Sequence, residues 1–354
     1  MRPADLPILA VGGSHDAGKT TLLEALVPMV AARGLAVAIV KSAGSRIEVD
    51  RPGKDSDRLF RAGADVFVRG KAESFVRTRP AEEDRTASDL AALARLYDVV
   101  LLECRSPMPC ATVWLLGEGE SEPPAGAGDV LAALPRGPER IETVRALLDR
   151  WLPGQWLRTP VYGCVLIGGR SSRMGRPKHL LKSGGRTWLE RTVEILRPAV
   201  EHIVIAGAGE LPDALAGVTR LPDVPDAEGP MAGILAAMRW APWATWLVAA
   251  CDLPNLRPEA LEWLLATRAA GVWATVPRFP GARGVEPLLA HYDFRAGAIL
   301  ERLAADGRFA PSLVAEHPKV AAPTPPSHLA PAWDNVNAPG DLPHDRPRAG
   351  RTMY

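Results

Sequence analysis

The 354-residue chain predicts an α/β fold in two domains, and three observations carry that prediction. Short uninterrupted apolar runs alternate with segments of helical period, the pattern of a parallel sheet covered by helices on both faces. The alternation stops at Gly154-Gln155-Trp156-Leu157-Arg158-Thr159-Pro160 and then restarts with a fresh strand. The chain is also longer than one average domain, and each half is large enough to bury its own core.

Element by element, ILAVGG (8–13) reads as a strand, TTLLEALVPMVAARG (20–34) as a helix stopped by glycine, and LAVAIVKS (35–42) as a second strand. Further strands are expected at 65–70, 97–104 and 111–117, with a helix at 86–96 capped by Thr86 or Ser88. A flexible Gly/Pro-rich loop at 117–128 precedes a helix at 138–152. After the break, VYGCVLIGG (161–169), IVIAG (203–207), TWLVAACD (245–252) and GVWATVP (271–277) look like strands. Helices are expected between them at 188–200, 231–241 and 258–270. The domains are therefore set at 1–155 and 160–342, and 343–354 lacks apolar anchors and is expected to be disordered.

Composition narrows the function. The chain is 47% hydrophobic, 23% charged and 6% aromatic, as in soluble globular proteins. Its 42 Lys and Arg nearly cancel its 41 Asp and Glu, so no overall field favours nucleic acid or an anionic membrane. The start of the chain has no signal-peptide pattern, and no run reaches the length of a membrane span. Cys104, Cys110, Cys164 and Cys251 form no C-x-x-C pair and read as buried thiols in a reducing cytoplasm.

The first motif is Gly13-Ser-His-Asp-Ala-Gly18-Lys19-Thr20, followed by Thr21. It fits G-x-x-x-x-G-K-[ST] between an expected strand and an expected helix. Glycines there let backbone N–H groups curl round phosphates, Lys19 reaches the outer oxygens, and Thr20 takes a place on magnesium. The distal acid is Asp98 or Glu103, with Glu103 better placed at the carboxyl end of its strand. The first half is thus expected to be a P-loop NTPase-type three-layer sheet. Together with GKTTLLEALVP, AARG, VAIVK and DRPGKDSDRLFRAGA (50–64), it resembles the molybdopterin-guanine dinucleotide biosynthesis adapter (MobB) family. That resemblance implies GTP binding and places Asp55 near magnesium or the phosphates; a solvated loop charge is the alternative. Two departures stand out. Lys41-Ser42-Ala43-Gly44-Ser45 replaces a Lys-His-x-His-His run, and Glu103-Cys104-Arg105-Ser106 replaces Glu-Gly-aromatic-Lys.

The second motif, Leu166-Ile167-Gly168-Gly169-Arg170-Ser171-Ser172-Arg173-Met174-Gly175-Arg176-Pro177-Lys178, directly follows a strand. Nucleotidyl transfer needs backbone donors round a triphosphate, cations for the departing pyrophosphate and a metal-held carboxylate near the α-phosphorus. The run supplies twin glycines and two cations. Gly229-Pro-Met-Ala-Gly-Ile, Cys251-Asp252-Leu-Pro, Glu286-Pro-Leu and Asn335-Val-Asn337-Ala-Pro-Gly-Asp follow in order. This half resembles the molybdenum cofactor guanylyltransferase (MobA) family, with a Rossmann-like nucleotidyltransferase sheet. Here Ile167 stands for the usual alanine, and Gly207 or Ala208 for a usual asparagine.

The resemblance implies that Arg173, Lys178 and Asp252 are catalytic, with Asp252 the magnesium ligand. It implies that Leu166, Ile167, Gly168, Gly169, Lys178, Asp223, Gly229 and Asp252 hold the nucleotide, and Asn335 and Asn337 the pterin. On their own chemistry, Asp252 and Asp223 also read as turn aspartates, Arg173 and Lys178 as solvated cations, and the two asparagines as an Asx turn. The remaining histidines, His179 included, show no ligand spacing. The expected reaction joins GMP from GTP to molybdopterin, with magnesium, in the cytoplasm, and molybdoenzyme apoproteins or molybdenum-insertion proteins are the protein partners to expect. Three rivals remain: a cytidylyltransferase making the cytosine dinucleotide, a non-catalytic cofactor-delivery adapter, and a sugar-1-phosphate nucleotidyltransferase.

Overall fold

The computed structural model describes residues 3–41, 50–79, 85–127, 129–168, 177–281 and 284–336. Gly169, Arg173, Asn337 and the expected disordered tail lie outside them. The chain divides into two compact units, Met1–Leu148 and Asp149–Tyr354.

The first unit contains β1 (Ile8–Gly13), α1 (Lys19–Ala31), β2 (Val37–Lys41), α2 (Asp55–Ala62), β3 (Val66–Arg69) and β4 (Ser74–Arg77). It continues with α3 (Thr86–Ala94), β5 (Val99–Glu103), β6 (Ala111–Leu115) and β7 (Val130–Leu134), and α4 (Arg140–Leu157) leads into the second unit. The main sheet has the order β2-β5-β1-β6-β7 and is parallel throughout. Burial explains the continuous apolar runs: Ile8 to Val11 and Val99 to Leu102 are all fully inaccessible. Chain order reverses at β1, whose neighbours β5 and β6 lie on opposite sides. A crevice for ligands therefore opens at its carboxyl end.

Four expectations change here. The run at 65–70 does not join the main sheet; β3 pairs antiparallel with β4, a strand hidden among charged residues. Arg77 of β4 explains the arrangement, because it bridges Asp57 (3.1 Å) and Asp50 (3.3 Å) and stacks on Phe60 at 4.0 Å. The edge strand β7 falls between the expected loop at 117–128 and the expected helix at 138–152, where no strand was read, and its register with β6 is irregular at Thr112/Val113. Neither Thr86 nor Ser88 caps α3; the N-cap is Arg85, and the Ser88 hydroxyl donates to the Arg85 carbonyl at 2.8 Å. Finally, α4 runs through Pro153 and Gly154 into the expected linker. Burying Gln155 and Trp156, with the Arg295 guanidinium 4.0 Å over the indole, offsets the helix-breaking cost.

The second unit contains β8 (Val161–Leu166), β9 (Lys182–Ser183), β10 (Arg186–Thr187), α5 (Trp188–Leu196), β11 (His202–Ala206), β12 (Thr219–Leu221) and α6 (Pro230–Trp240). β13 (Thr245–Ala250), α7 (Pro258–Ala266), β14 (Ala274–Thr275), β15 (Leu289–Tyr292), α8 (Ala296–Ala305) and β16 (Val320–Ala321) complete it. Its sheet has the order β12-β11-β8-β13-β15-β14-β16. The first four strands are parallel, whereas β15 runs antiparallel to both β13 and β14, so the sheet is mixed. No strand was expected at Leu289–Tyr292, so the antiparallel member of this sheet was not anticipated. The helix α5 starts with a capping box: Thr187 accepts from the Glu190 amide (3.2 Å) and Glu190 from the Thr187 amide (2.6 Å). All four cysteines are buried and free, and no described helix is long and apolar enough to cross a membrane.

Candidate active site

The loop from β1 to α1 forms the first crevice. Gly12 is obligatory, since a Cβ there would lie 2.4 Å from the Trp114 ring on β6. Gly18, at φ 89°, is the N-cap of α1, so the first amides of that helix point into the crevice. The Lys19 ammonium donates to the carbonyls of Gly13 (2.9 Å) and Ser14 (2.6 Å), and its burial lowers its pKa. The Thr20 hydroxyl donates to Glu103 at 3.2 Å, and Lys41 lies 3.4 Å from the same carboxylate oxygen. Thr21, His15, Asp16, Cys104 and Arg105 complete the lining.

The two acidic alternatives separate cleanly. Glu103 joins the crevice, whereas Asp98, at the other end of the strand, accepts from the Ala36 amide at 2.6 Å. Asp55 is not brought to the crevice. Its side chain is 97% exposed and lies 3.9 Å from Arg58. The acid that matters structurally in this motif is Asp57, which accepts from the Gly53 amide (2.9 Å), Arg77 (3.1 Å) and Arg61 (2.9 Å). The Gly53 N–H, with these guanidinium groups, lowers its pKa to about 2.

Sequence reasoning missed Arg140, the buried brace of the first crevice. Its guanidinium donates to the carbonyls of Ala17 (2.7 Å), Leu116 (2.8 Å), Leu134 (2.8 Å) and Pro135 (2.5 Å). It therefore ties the phosphate-type loop to the ends of β6 and β7. No motif could have announced it, because all four acceptors are backbone.

The second crevice opens at the carboxyl ends of β8 and β13. It is a cavity of about 290 Å³ lined by Leu166, Ile167, Gly168, Lys178, Asp223, Gly229 and Asp252, all anticipated, together with Ala206, Pro230, Gly233, Ala250, Cys251 and Leu288. At φ 103°, Gly168 takes a backbone form that side chains disfavour, which turns its amide out of the strand direction. The Lys178 ammonium donates to Asp252 at 2.9 Å, and both side chains are about four-fifths shielded, at 19% and 18% exposure. Asp223 faces the apolar wall of Ala206 and Gly233, and burial raises its pKa. A Cβ on Gly233 would meet the Leu166 side-chain tip at 2.8 Å, so a side chain at this helix position would press on the cavity wall. The Val336 amide donates to the Asp252 carbonyl at 3.1 Å, which brings the segment holding Asn335 alongside this acid. Gly229, at φ 60°, starts α6 with Pro230 in its first turn.

One carboxylate at a strand end, beside a lysine and a glycine turn, suits a small hard cation that takes most of its oxygens from phosphate and water. Among the described residues no cluster of three or more His, Cys, Asp or Glu forms a cage of its own.

A crevice at the carboxyl ends of parallel strands is where α/β units bind ligands, and here it follows a P-loop unit. The family models agree: residues 163–320 match the MobA-like NTP transferase domain, and residues 8–120 match molybdopterin guanine dinucleotide synthesis protein B. A probable molybdenum cofactor guanylyltransferase of Bacillus mycoides is 32% identical over 138 residues, which is 38% of this chain and 68% of the relative. That of Pelotomaculum thermopropionicum is 35% identical over 130 residues, 37% of this chain, and the chain spans 62% of that relative's length. Among solved structures, molybdopterin-guanine dinucleotide biosynthesis protein A from Archaeoglobus fulgidus is 28% identical with TM-score 0.44, covering 51% of this chain and 94% of that one. The chain belongs to the molybdenum cofactor guanylyltransferase family, joined to a MobB-type domain.

Proposed function

We propose that the second unit transfers GMP from GTP to molybdopterin, forming the guanine dinucleotide cofactor and pyrophosphate. The observation that carries this reading is the Lys178–Asp252 contact of 2.9 Å, held at the carboxyl ends of two parallel strands beside the glycine turn at Gly168. The terminal phosphate of the pterin is already anionic near neutral pH, so no strong base is needed. It attacks the α-phosphorus of GTP; the new P–O bond forms as the bond to pyrophosphate breaks. The barrier is repulsion between anions.

In this reading Leu166 to Gly169 present amides to the triphosphate, and Lys178 and Arg173 neutralise the departing pyrophosphate. Asp252 holds magnesium, which when bound supplies positive charge at the phosphates. Asp223 and Gly229 contact the nucleoside, and Asn335 and Asn337 the pterin. The first unit binds GTP with Gly13, Gly18, Lys19, Thr20 and Thr21, and Thr20 and Glu103 set its metal side. Its tether raises the local concentration of one active unit at the other and assists delivery of the cofactor to apo-molybdoenzymes in the cytoplasm.

The test is direct. The protein is incubated with molybdopterin, magnesium and either GTP or CTP, and the dinucleotide is identified by mass. Guanine dinucleotide is expected, and Asp252→Ala should abolish it with the fold intact. Cytosine dinucleotide would reassign the base; full turnover by the variant would remove Asp252 from the chemistry.

A further inference from the structure

Lys178 is followed by a histidine whose environment is unusual for a loop residue. His179 is 3% exposed, within the short 3₁₀ turn Lys178–Leu180. Its Nε2 lies 2.9 Å from the Glu210 carbonyl, in the loop that leaves β11. A carbonyl only accepts, so Nε2 carries the proton and donates it. The ring also fills the space a side chain would need at residue 209: a Cβ on Gly209 would stand 2.7 Å from Cε1 and 3.0 Å from Nε2.

The receiving loop is fixed by backbone packing. A Cβ on Gly207 would fall 2.0 Å from the Ile167 carbonyl, and one on Gly168 would lie 3.6 Å from the Ala208 carbonyl. The loop at 207–210 therefore lies directly on the strand-to-turn junction that lines the second crevice. It offers no side chain there between Gly207 and Gly209 except the methyl of Ala208. The imidazole is the group that reaches it from the Lys178 turn.

We infer that His179 is a positioning residue for the nucleotide site. By donating to Glu210 and packing on Gly209, it docks the Pro177–Leu180 turn on the 207–210 loop and so aims the adjacent Lys178 at Asp252. The inference rests on the proposed transferase reading for its consequence, and on geometry alone for the positioning.

The test has two independent readouts on the full-length chain. The first is amine acetylation by an N-hydroxysuccinimide ester, followed residue by residue by mass spectrometry. His179→Phe keeps a ring and loses the donor; Gly209→Ala pushes the ring away. Both should speed labelling of Lys178 at least about threefold and leave Lys182, on the neighbouring strand, unchanged. His179→Gln restores an N–H at the reach of Nε2 and should label as wild type. Unchanged labelling of Lys178 in the first two variants overturns the inference, as does a matching rise at Lys182, which marks general loosening. The second readout is calorimetric GTP binding with magnesium, in a Lys19→Ala background that silences the first crevice. His179→Phe should weaken GTP about tenfold, or ~1.4 kcal/mol, and add nothing once Lys178→Ala is present. Additive losses overturn the positioning role. If labelling behaves as expected but the wild-type site takes neither GTP nor CTP, the transferase reading fails and the positioning stands.

Discussion

At the scale of single residues, both crevices depend on groups whose partners are backbone atoms. Arg140 spreads one guanidinium over four carbonyls, a pattern that the point charge of lysine cannot reproduce. Arg140→Lys should lower the stability of the first unit by about 2–3 kcal/mol, read from chemical denaturation, and weaken nucleotide binding at Lys19. Gly207→Ala should cost at least about 2 kcal/mol, because φ is 119° and the new Cβ would collide with the Ile167 carbonyl. A melting temperature equal to wild type would contradict that. Such positions mark the limit of legibility. Gly18, Lys19 and Thr20 were readable because their spacing encodes the chemistry, and Lys178 and Asp252 because the resemblance supplied them. His179 was passed over as incidental. A lone imidazole has no spacing to read, and its acceptor is a main-chain carbonyl 31 residues away.

At the scale of elements, apolar runs located β1, β2, β3, β5, β6, β8, β11, β13 and β14. The missed strands β4, β7, β9, β10, β12 and β16 lie in hairpin or edge positions, where short length and partial exposure erase the apolar signature, whereas β15 is buried throughout but only four residues long. The Thr187–Glu190 capping box, T-x-x-E in the sequence, sits at the start already read for α5 at residue 188. The junction of β13, β15 and β14 makes a prediction of its own. The Thr245 hydroxyl donates to the Tyr292 carbonyl (2.9 Å), so it accepts from His291 Nε2–H at 2.6 Å. Nδ1 is then a bare acceptor, buried with no hydrogen bond among the described residues. Burial, with Arg268 nearby, lowers the pKa of His291 from 6.5 to about 3. Between those values the unfolded chain takes up a proton that the folded one refuses. Stability from this group is complete above pH 6.5 and is lost progressively as pH falls towards 3. Denaturant titrations across that window should show the decline, and His291→Gln should flatten it.

At the scale of the whole molecule, two units with separate sheets predict two thermal transitions where each unfolds as a cooperative body. Magnesium and GTP at about 100 times Kd should stabilise a binding unit by about 2.7 kcal/mol. Lys19→Ala should remove that shift from the first unit's transition and leave the second's in place. Scanning calorimetry with each variant reads both at once, and a single transition that moves as one would show the units to be thermally coupled. The two-part organisation was legible in the broken α/β rhythm. The exact seam was not, since α4 continues past the proline and glycine that were read as its end.

The lysine beside Asp252 has a consequence for the order in which ligands settle. At rest the crevice carries its own counter-ion, so a bare divalent ion must compete with an ammonium already in place. A triphosphate gives that ammonium somewhere else to go and frees the acid for the metal. Metal and nucleotide should therefore bind with positive cooperativity, each tightening the other by the same factor. Manganese titrations followed by electron paramagnetic resonance, with and without GTP in the Lys19→Ala background, would measure it.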